Sequence, residues 1–288
     1  MDHLNRVQAL SPELPDNFLV RATGRFFTSP EIADHLIQAI LSTMRGRVRE
    51  GQCVSVADPF AGDGRLVAWL IETWHSMGLP RVTWHASMWD LCEKGIEEAK
   101  NRMAELKGAG HDVVCEYQVG DSFRLSQAFD GNIDICITNP PWERLKPDTR
   151  ELRGLSLDIR EQYIQAMREY DNFLARLFPD SQPTRKFAGW GTNLSRVGLD
   201  LCRKICKKNG VLGIVMPASF LADHLSETLR SHLLQEGRLT DISYFPAEAK
   251  LFGSADVATV TMTIELGRQT KFSPLLTRYN KLLGIDSS

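Results

Sequence analysis

Apolar positions repeat with two different periods along this chain. Ile32, Leu36, Ile37, Ile40 and Leu41 fall on one face of a 3.6-residue repeat and predict an amphipathic helix over 31–44. Short apolar runs bounded by turn residues predict strands at 53–57, 82–89, 113–119, 133–137 and 211–215, with two more at 241–245 and 258–266. Between them the pattern predicts helices over 66–74, 93–106, 143–178, 193–208 and 222–234. Asn209-Gly210 would end the 193–208 helix as a left-handed cap. Strands alternate with helices until a helix-free connection joins the last two. That order predicts an α/β sheet, parallel for most of its width, with an antiparallel hairpin at one edge.

Composition adds bounds. A chain of 288 residues with 43% hydrophobic content can bury one substantial core, so residues 1–288 read as a single domain. Pro12, Pro15 and scattered polar groups mark 1–24 as an N-terminal arm. The segment 179–191, with Pro179, Pro183, Gly189 and Gly191, is a breaker-rich loop that reads equally as a lid or as a surface connection. No apolar run of about eighteen residues and no signal-peptide core is present, which predicts a soluble, cytoplasmic protein without a membrane span. Cys53, Cys92, Cys115, Cys136, Cys202 and Cys206 form no Cys-x-x-Cys pair, and no histidine pair accompanies Cys202 and Cys206. Reduced thiols and no metal site are expected.

Charge changes the picture in one place. The net charge of −2 counts against tight autonomous binding to nucleic acid. The stretch 143–208, however, holds fourteen Lys and Arg against nine Asp and Glu. Most of these read as solvated helix faces. Arg144, Lys146 and Arg150 are the candidates for phosphate contact.

The candidate chemistry sits where strands end. Asn139-Pro140-Pro141-Trp142 follows the 133–137 strand, and two prolines cannot continue a ladder, so the chain must turn stiffly there. An Asn oxygen and a proline carbonyl can accept both hydrogens of a planar amine while the indole stacks on its ring. Asp58-Pro59-Phe60-Ala61-Gly62-Asp63-Gly64 forms a glycine-bearing strand-to-helix turn that departs from the dinucleotide fingerprint and carries no Gly-Lys-Ser. A nucleoside ligand without a pyrophosphate suits it. Asp90, after the next strand, suits a ribose diol, and Asp121-Ser122-Phe123, after the third, offers an acceptor and an apolar face to a base.

Together these motifs resemble the class I S-adenosylmethionine-dependent methyltransferases. Within them, the chain resembles the adenine-N6 DNA methyltransferases of restriction–modification systems in the gamma-class order, over roughly residues 20 to 266. The resemblance implies a Rossmann-like, seven-stranded sheet with helices on both faces, and S-adenosyl-L-methionine as cofactor. Phe26-Phe27-Thr28-Ser29-Pro30 resembles the methionine-carboxylate motif, which gives Thr28 and Pro30 to the cofactor, although Thr28 could equally cap the helix that follows. Asp58, Pro59, Phe60, Ala61 and Gly62 correspond to the cofactor loop, Asp90 and Leu91 to the ribose acid, and Asp121, Ser122 and Phe123 to the adenine contact. The usual second acid and proline after the ribose acid are replaced by Cys92 and Glu93. Asn139, Pro140, Pro141 and Trp142 correspond to the catalytic motif, with Asn139 also near the cofactor. Trp142 and Phe252, the latter in Leu251-Phe252-Gly253, would stack on a flipped-out base, and core packing is the other reading of Phe252.

Recognition domains in the family usually follow the last strand, and about twenty residues follow Leu266 here. Specificity is therefore expected from the 143–192 insert, a partner subunit or a region beyond this chain, with DNA as the substrate. Two other readings remain: methylation of RNA or of a protein glutamine, and a cofactor-binding, non-catalytic subunit of a modification complex.

Overall fold

The computed structural model describes residues 28–129, 131–146, 151–154, 156–183, 192–251, 257–271, 276–280 and 284–287. β1 (Cys53–Asp58), β2 (Thr83–Asp90) and β3 (Val113–Val119) run parallel in that spatial order. The chain then crosses back. β4 (Ile133–Thr138) pairs with the other side of β1, and β5 (Cys206–Pro217) continues beside β4, both parallel. β7 (Thr259–Leu266) wedges between β5 and β6 (Gly237–Phe245) and is antiparallel to both. β8 (Leu276–Asn280) and β9 (Gly284–Ser287) extend the far edge, giving the order β3-β2-β1-β4-β5-β7-β6-β8-β9.

Period-two alternation splits the core between the two faces of this sheet. In β5, Val211 and Val215 join one cluster with α1 (Pro30–Met44), α2 (Arg65–Ser76) and α3 (Glu93–Gly108). Leu212, Ile214 and Met216 join the other, with α4 (Ser122–Leu125), α5 (Leu157–Leu177), α6 (Leu194–Ile205) and α7 (Glu227–Glu236). Helices thus cover both faces. Gly213 lets α1 settle onto β5: a Cβ there would lie 2.4 Å from Ile40 Cδ1. Among the described residues no helix is long and apolar enough to cross a membrane.

Four expectations need correction. The sheet has nine strands among the described residues instead of seven. The β6–β7 hairpin is antiparallel as expected, but β7 lies inside the sheet and the β8–β9 hairpin forms the edge. Among the described residues of the insert, an α-helix runs from Leu157 to Leu177 with short 3-10 turns at Glu151–Gly154 and Pro179–Ser181, and the first residues pair elsewhere: Arg144 forms a β-bridge with Asn193. Asn209-Gly210 caps no helix. α6 ends at Ile205 with Cys206 as its cap, and Asn209, at φ 69°, lies in a bulge of β5. There the register passes from Ile133↔Cys206 to Ile135↔Val211, and a side chain at Gly210 would meet the Ile133 carbonyl at 2.8 Å. The arm at 1–24 lies outside the described residues, as does most of the 179–191 loop.

Candidate active site

Strand order reverses between β1 and β4, and in open α/β sheets the crevice at such a reversal, beyond the carboxyl ends of the strands, is where ligands bind. Asp58 ends β1 and Thr138 ends β4. Both are buried, and Thr138 Oγ1 donates to Asp58 Oδ1 at 2.6 Å. The Phe60 N–H donates to the same oxygen at 3.0 Å. Asp58 Oδ2 is buried and accepts no hydrogen bond from the described residues. Burial pushes the Asp58 carboxyl up to about 7, against the hydrogen bonds from Thr138 and Phe60 and with help from Asp90 and Asp63. Directly after Thr138, the Asn139 Nδ2 donates to Thr28 Oγ1 at 3.1 Å, joining the Asn-Pro-Pro turn to the segment before α1. Thr28 is buried but does not cap that helix; Ser29 does, accepting from the Ile32 N–H, with Pro30 exposed at the first helical position.

The glycine-bearing loop after β1 is tied to its neighbours at each step. The Ala61 N–H donates to the Trp89 carbonyl at 2.9 Å, and the Gly62 N–H to Asp90 Oδ2 at 2.8 Å. Asp90 Oδ1 accepts from the Cys92 N–H at 2.8 Å. Leu91 is half-buried beside it. Asp63 is held by Arg65 and Arg102, whose guanidinium groups outweigh its burial and keep its carboxyl below the usual range. Gly95 admits the start of α3, since a Cβ there would lie 2.8 Å from the Gly62 carbonyl oxygen. Next along the edge, Asp121 caps α4 by accepting from the Phe123 N–H at 3.0 Å, and Ser122 Oγ donates to the buried Pro59 carbonyl. Phe60 and Phe123 meet at 5.3 Å between ring centroids and form an apolar wall. The expected acids and the Asn-Pro-Pro turn therefore share one sheet edge.

No family model and no curated protein matches the chain. Solved structures do. A Listeria monocytogenes protein assigned to the class I S-adenosylmethionine-dependent methyltransferases superposes with a TM-score of 0.62 at 15% identity, over 98% of this chain and 75% of its own. The methyltransferase subunit of a type I restriction-modification system from Streptococcus thermophilus gives 0.59 at 18% identity, over 88% of this chain and 47% of its own. The DrdV–DNA complex gives 0.62 at 12% identity, over 91% and 28%. The fold is that of a class I methyltransferase. The chain spans less than half the length of the latter two proteins.

In this methyltransferase fold the Asn-Pro-Pro turn is braced by residues that sequence reading missed. Asn193 caps α6, accepting from the Ser195 and Arg196 N–H groups at 3.0 and 3.3 Å, and its Nδ2 donates to the Trp142 carbonyl at 3.3 Å. The Leu194 N–H donates to the Glu143 carbonyl and the Leu145 N–H to that of Thr192. Gly198 lies against Pro140 so closely that a Cβ would stand 2.5 Å from the proline Cβ. A glycine in mid-helix costs about 1 kcal/mol against alanine, and that was the available signal. The Trp142 ring is half-buried against the α1 side of the core. Pro140 is buried and Pro141 half-buried.

Arg144 and Lys146 are exposed, while Arg150 and Phe252 lie outside the described residues. Two other cations of this stretch are structural: Arg203 binds Asp180 and Asp200 at 2.8 Å each and also Glu236, and Lys204 donates to the Leu177 carbonyl. Cys136, Cys202 and Cys206 are buried together between β4, α6 and β5, and all six cysteines are free thiols. Among the described residues no cluster of side chains suits a metal ion.

Proposed function

We propose that this chain transfers a methyl group from S-adenosylmethionine to the N6 amine of an adenine in DNA, working with a recognition subunit or region. The observation that carries the reading is the juxtaposition of Asp58 and Asn139 at the switch point. Asp58 is a buried carboxylate with an oxygen unpartnered among the described residues, which favours a cationic ligand. It is coupled through Thr138 to the Asn-Pro-Pro turn. The residues present fit the cofactor: Asp90 and Asp121 stand at successive strand ends, Gly62 and Gly95 leave the backbone open, and Phe60 and Phe123 supply an apolar wall.

When bound, the cofactor supplies an electrophilic methyl carbon on a sulfonium. The chain's own part is positioning. Thr28 takes a hydrogen from Asn139 Nδ2, which orients the amide so that its oxygen is available to an amine of the substrate. The Pro140 carbonyl would accept the second amine hydrogen. Two acceptors favour a pyramidal nitrogen and stabilise the positive charge that develops on it, without a strong base. Holding nitrogen and methyl at near-attack distance contributes much of the remainder. The target amine is inaccessible inside a duplex, so the base must be flipped out at a cost of a few kcal/mol. Stacking on Trp142 offsets part of this, at roughly 1–3 kcal/mol per contact.

The similarity to a type I methyltransferase subunit and to DrdV solved with DNA supports DNA as substrate and a specificity partner. The test is transfer of labelled methyl groups to adenine-containing DNA, to RNA and to protein, with and without candidate recognition subunits. Label appearing only in RNA or protein would replace this reading with one of the other acceptors.

A further inference from the structure

The helix of the 143–192 insert, α5, is docked against the proposed cofactor side. Tyr170, buried on α5, donates its hydroxyl hydrogen to Asp121 Oδ2 at 3.0 Å. Arg124 Nε lies 3.3 Å from the same oxygen. The Arg124 guanidinium lies over the Phe173 ring at 4.3 Å, and Phe173 stacks on Tyr170 with an interplanar angle of 17°. At the end of α5, Phe178 meets Phe123 edge-on at 5.9 Å, continuing the wall begun by Phe60. Asp121 is therefore gripped at both oxygens, by the Phe123 N–H on one and by Tyr170 and Arg124 on the other.

A carboxylate that accepts from the Phe123 N–H on one oxygen and from the Tyr170 hydroxyl on the other, with the Arg124 guanidinium beside it, has a fixed plane. It accepts an amine hydrogen and repels a carbonyl oxygen. We propose that Tyr170 is a positioning residue for Asp121, so that the insert helix sets the preference of this site for an adenine nucleoside over a hypoxanthine nucleoside. The inference rests on the reading of this edge as the cofactor site and deepens it: the 143–192 insert becomes part of cofactor recognition. Any partner that moves α5 would then alter cofactor affinity through the Tyr170–Asp121 hydrogen bond.

The experiment compares binding of S-adenosylhomocysteine with that of S-inosylhomocysteine, which carries a carbonyl in place of the amine, to the intact chain and to Tyr170→Phe. The wild type is expected to prefer the adenosyl ligand by at least about tenfold, the size of one charge-assisted hydrogen bond. Tyr170→Phe should lose most of that preference, and Arg124→Gln, at a half-buried position, should lose part of it. Should Tyr170→Phe fail to fold, the Arg124→Gln ratio decides. A wild type that discriminates while the folded variants keep the full ratio overturns the inference and leaves the cofactor reading standing. Equal weakening of both ligands also overturns it, since lost packing acts on both alike. A wild type that binds neither ligand removes the cofactor reading itself.

Discussion

The two corners of the site share long-range ties but differ in how their key side chains are held. At the proposed cofactor corner, four aspartates each accept from the N–H two residues ahead: Asp58 from Phe60, Asp63 from Arg65, Asp90 from Cys92 and Asp121 from Phe123. This is the local Asx turn, written into consecutive residues. At the proposed catalytic corner the turn itself is held over long separations. Asn139 bonds Thr28 across 111 positions, Thr138 bonds Asp58 across 80, and Trp142 is held by Asn193 across 51. A corner made of local turns should lose ligand affinity when one turn is cut. A corner made of distant braces should lose geometry, and hence turnover, when one brace shifts.

The largest effect is expected at the catalytic corner. Asn139→Ala should keep the fold and most cofactor affinity yet lower the transfer rate by about 10²–10³, as when one preorganised hydrogen-bond partner of a transition state is removed. Retention of more than about a tenth of wild-type turnover, a loss under ~1.4 kcal/mol, would end the amine-activating role.

Gly198→Ala tests the brace. In an unconstrained helix this change stabilises by up to about 1 kcal/mol. Here the added methyl meets the Pro140 ring, so a loss of about 1–3 kcal/mol from overpacking is expected, with turnover reduced and cofactor affinity kept. Denaturant unfolding showing a more stable variant would place α6 farther from the turn than the structure does.

That contrast also explains what was legible in the sequence. The strand ends, the glycine turn and the acids were readable because each depends on a few consecutive residues. β7 was readable as a strand from its alternating Thr and apolar positions, but its insertion between β5 and β6 was not, since strand order is set by pairing over long separations. The 143–178 pattern read as one helix because its first residues are not distinguished by periodicity from those that follow; their pairing with 192–194 is a tertiary choice. Gly198, Asn193 and Tyr170 carry roles that exist only once α5 and α6 are docked. Asn209-Gly210 misled for the same reason, being a favoured left-handed pair used for a bulge.

Asp90→Ala sharpens the other side of the comparison. It removes the acceptor for Gly62 and Cys92 together with the proposed ribose contact. Cofactor affinity should fall about tenfold or more, given ~1.5–3 kcal/mol for a charge-assisted hydrogen bond, while turnover at saturation changes less. Calorimetry giving wild-type affinity in the folded variant would remove Asp90 from the site.

Asp58 belongs to both corners and should reveal itself through pH. Its folded pKa, about 7, stands above the ordinary value of 3.8, chiefly through burial. The folded state thus holds a proton that the unfolded state releases. The resulting contribution to stability is full below the ordinary value and is lost as pH rises through about 7. Melting temperatures of the wild type should therefore fall relative to those of Asp58→Asn between about pH 5 and pH 8. Parallel curves for the two proteins would show that Asp58 does not titrate in this range.

The smallest effect is expected outside both corners. Lys146 is exposed just past the catalytic turn, and its proposed role is contact with a phosphate. Phosphate contacts position a protein on DNA but carry no base information. Lys146→Glu should weaken DNA binding by a similar factor on every duplex and flatten the dependence of log affinity on log salt by about one unit, the release of one counterion. The measurement is binding to a panel of duplexes at two salt concentrations. An unchanged slope would leave Lys146 a solvated surface residue. A loss confined to some sequences would instead make it a reader of bases, and would move part of the specificity from a partner into the segment that follows the catalytic turn.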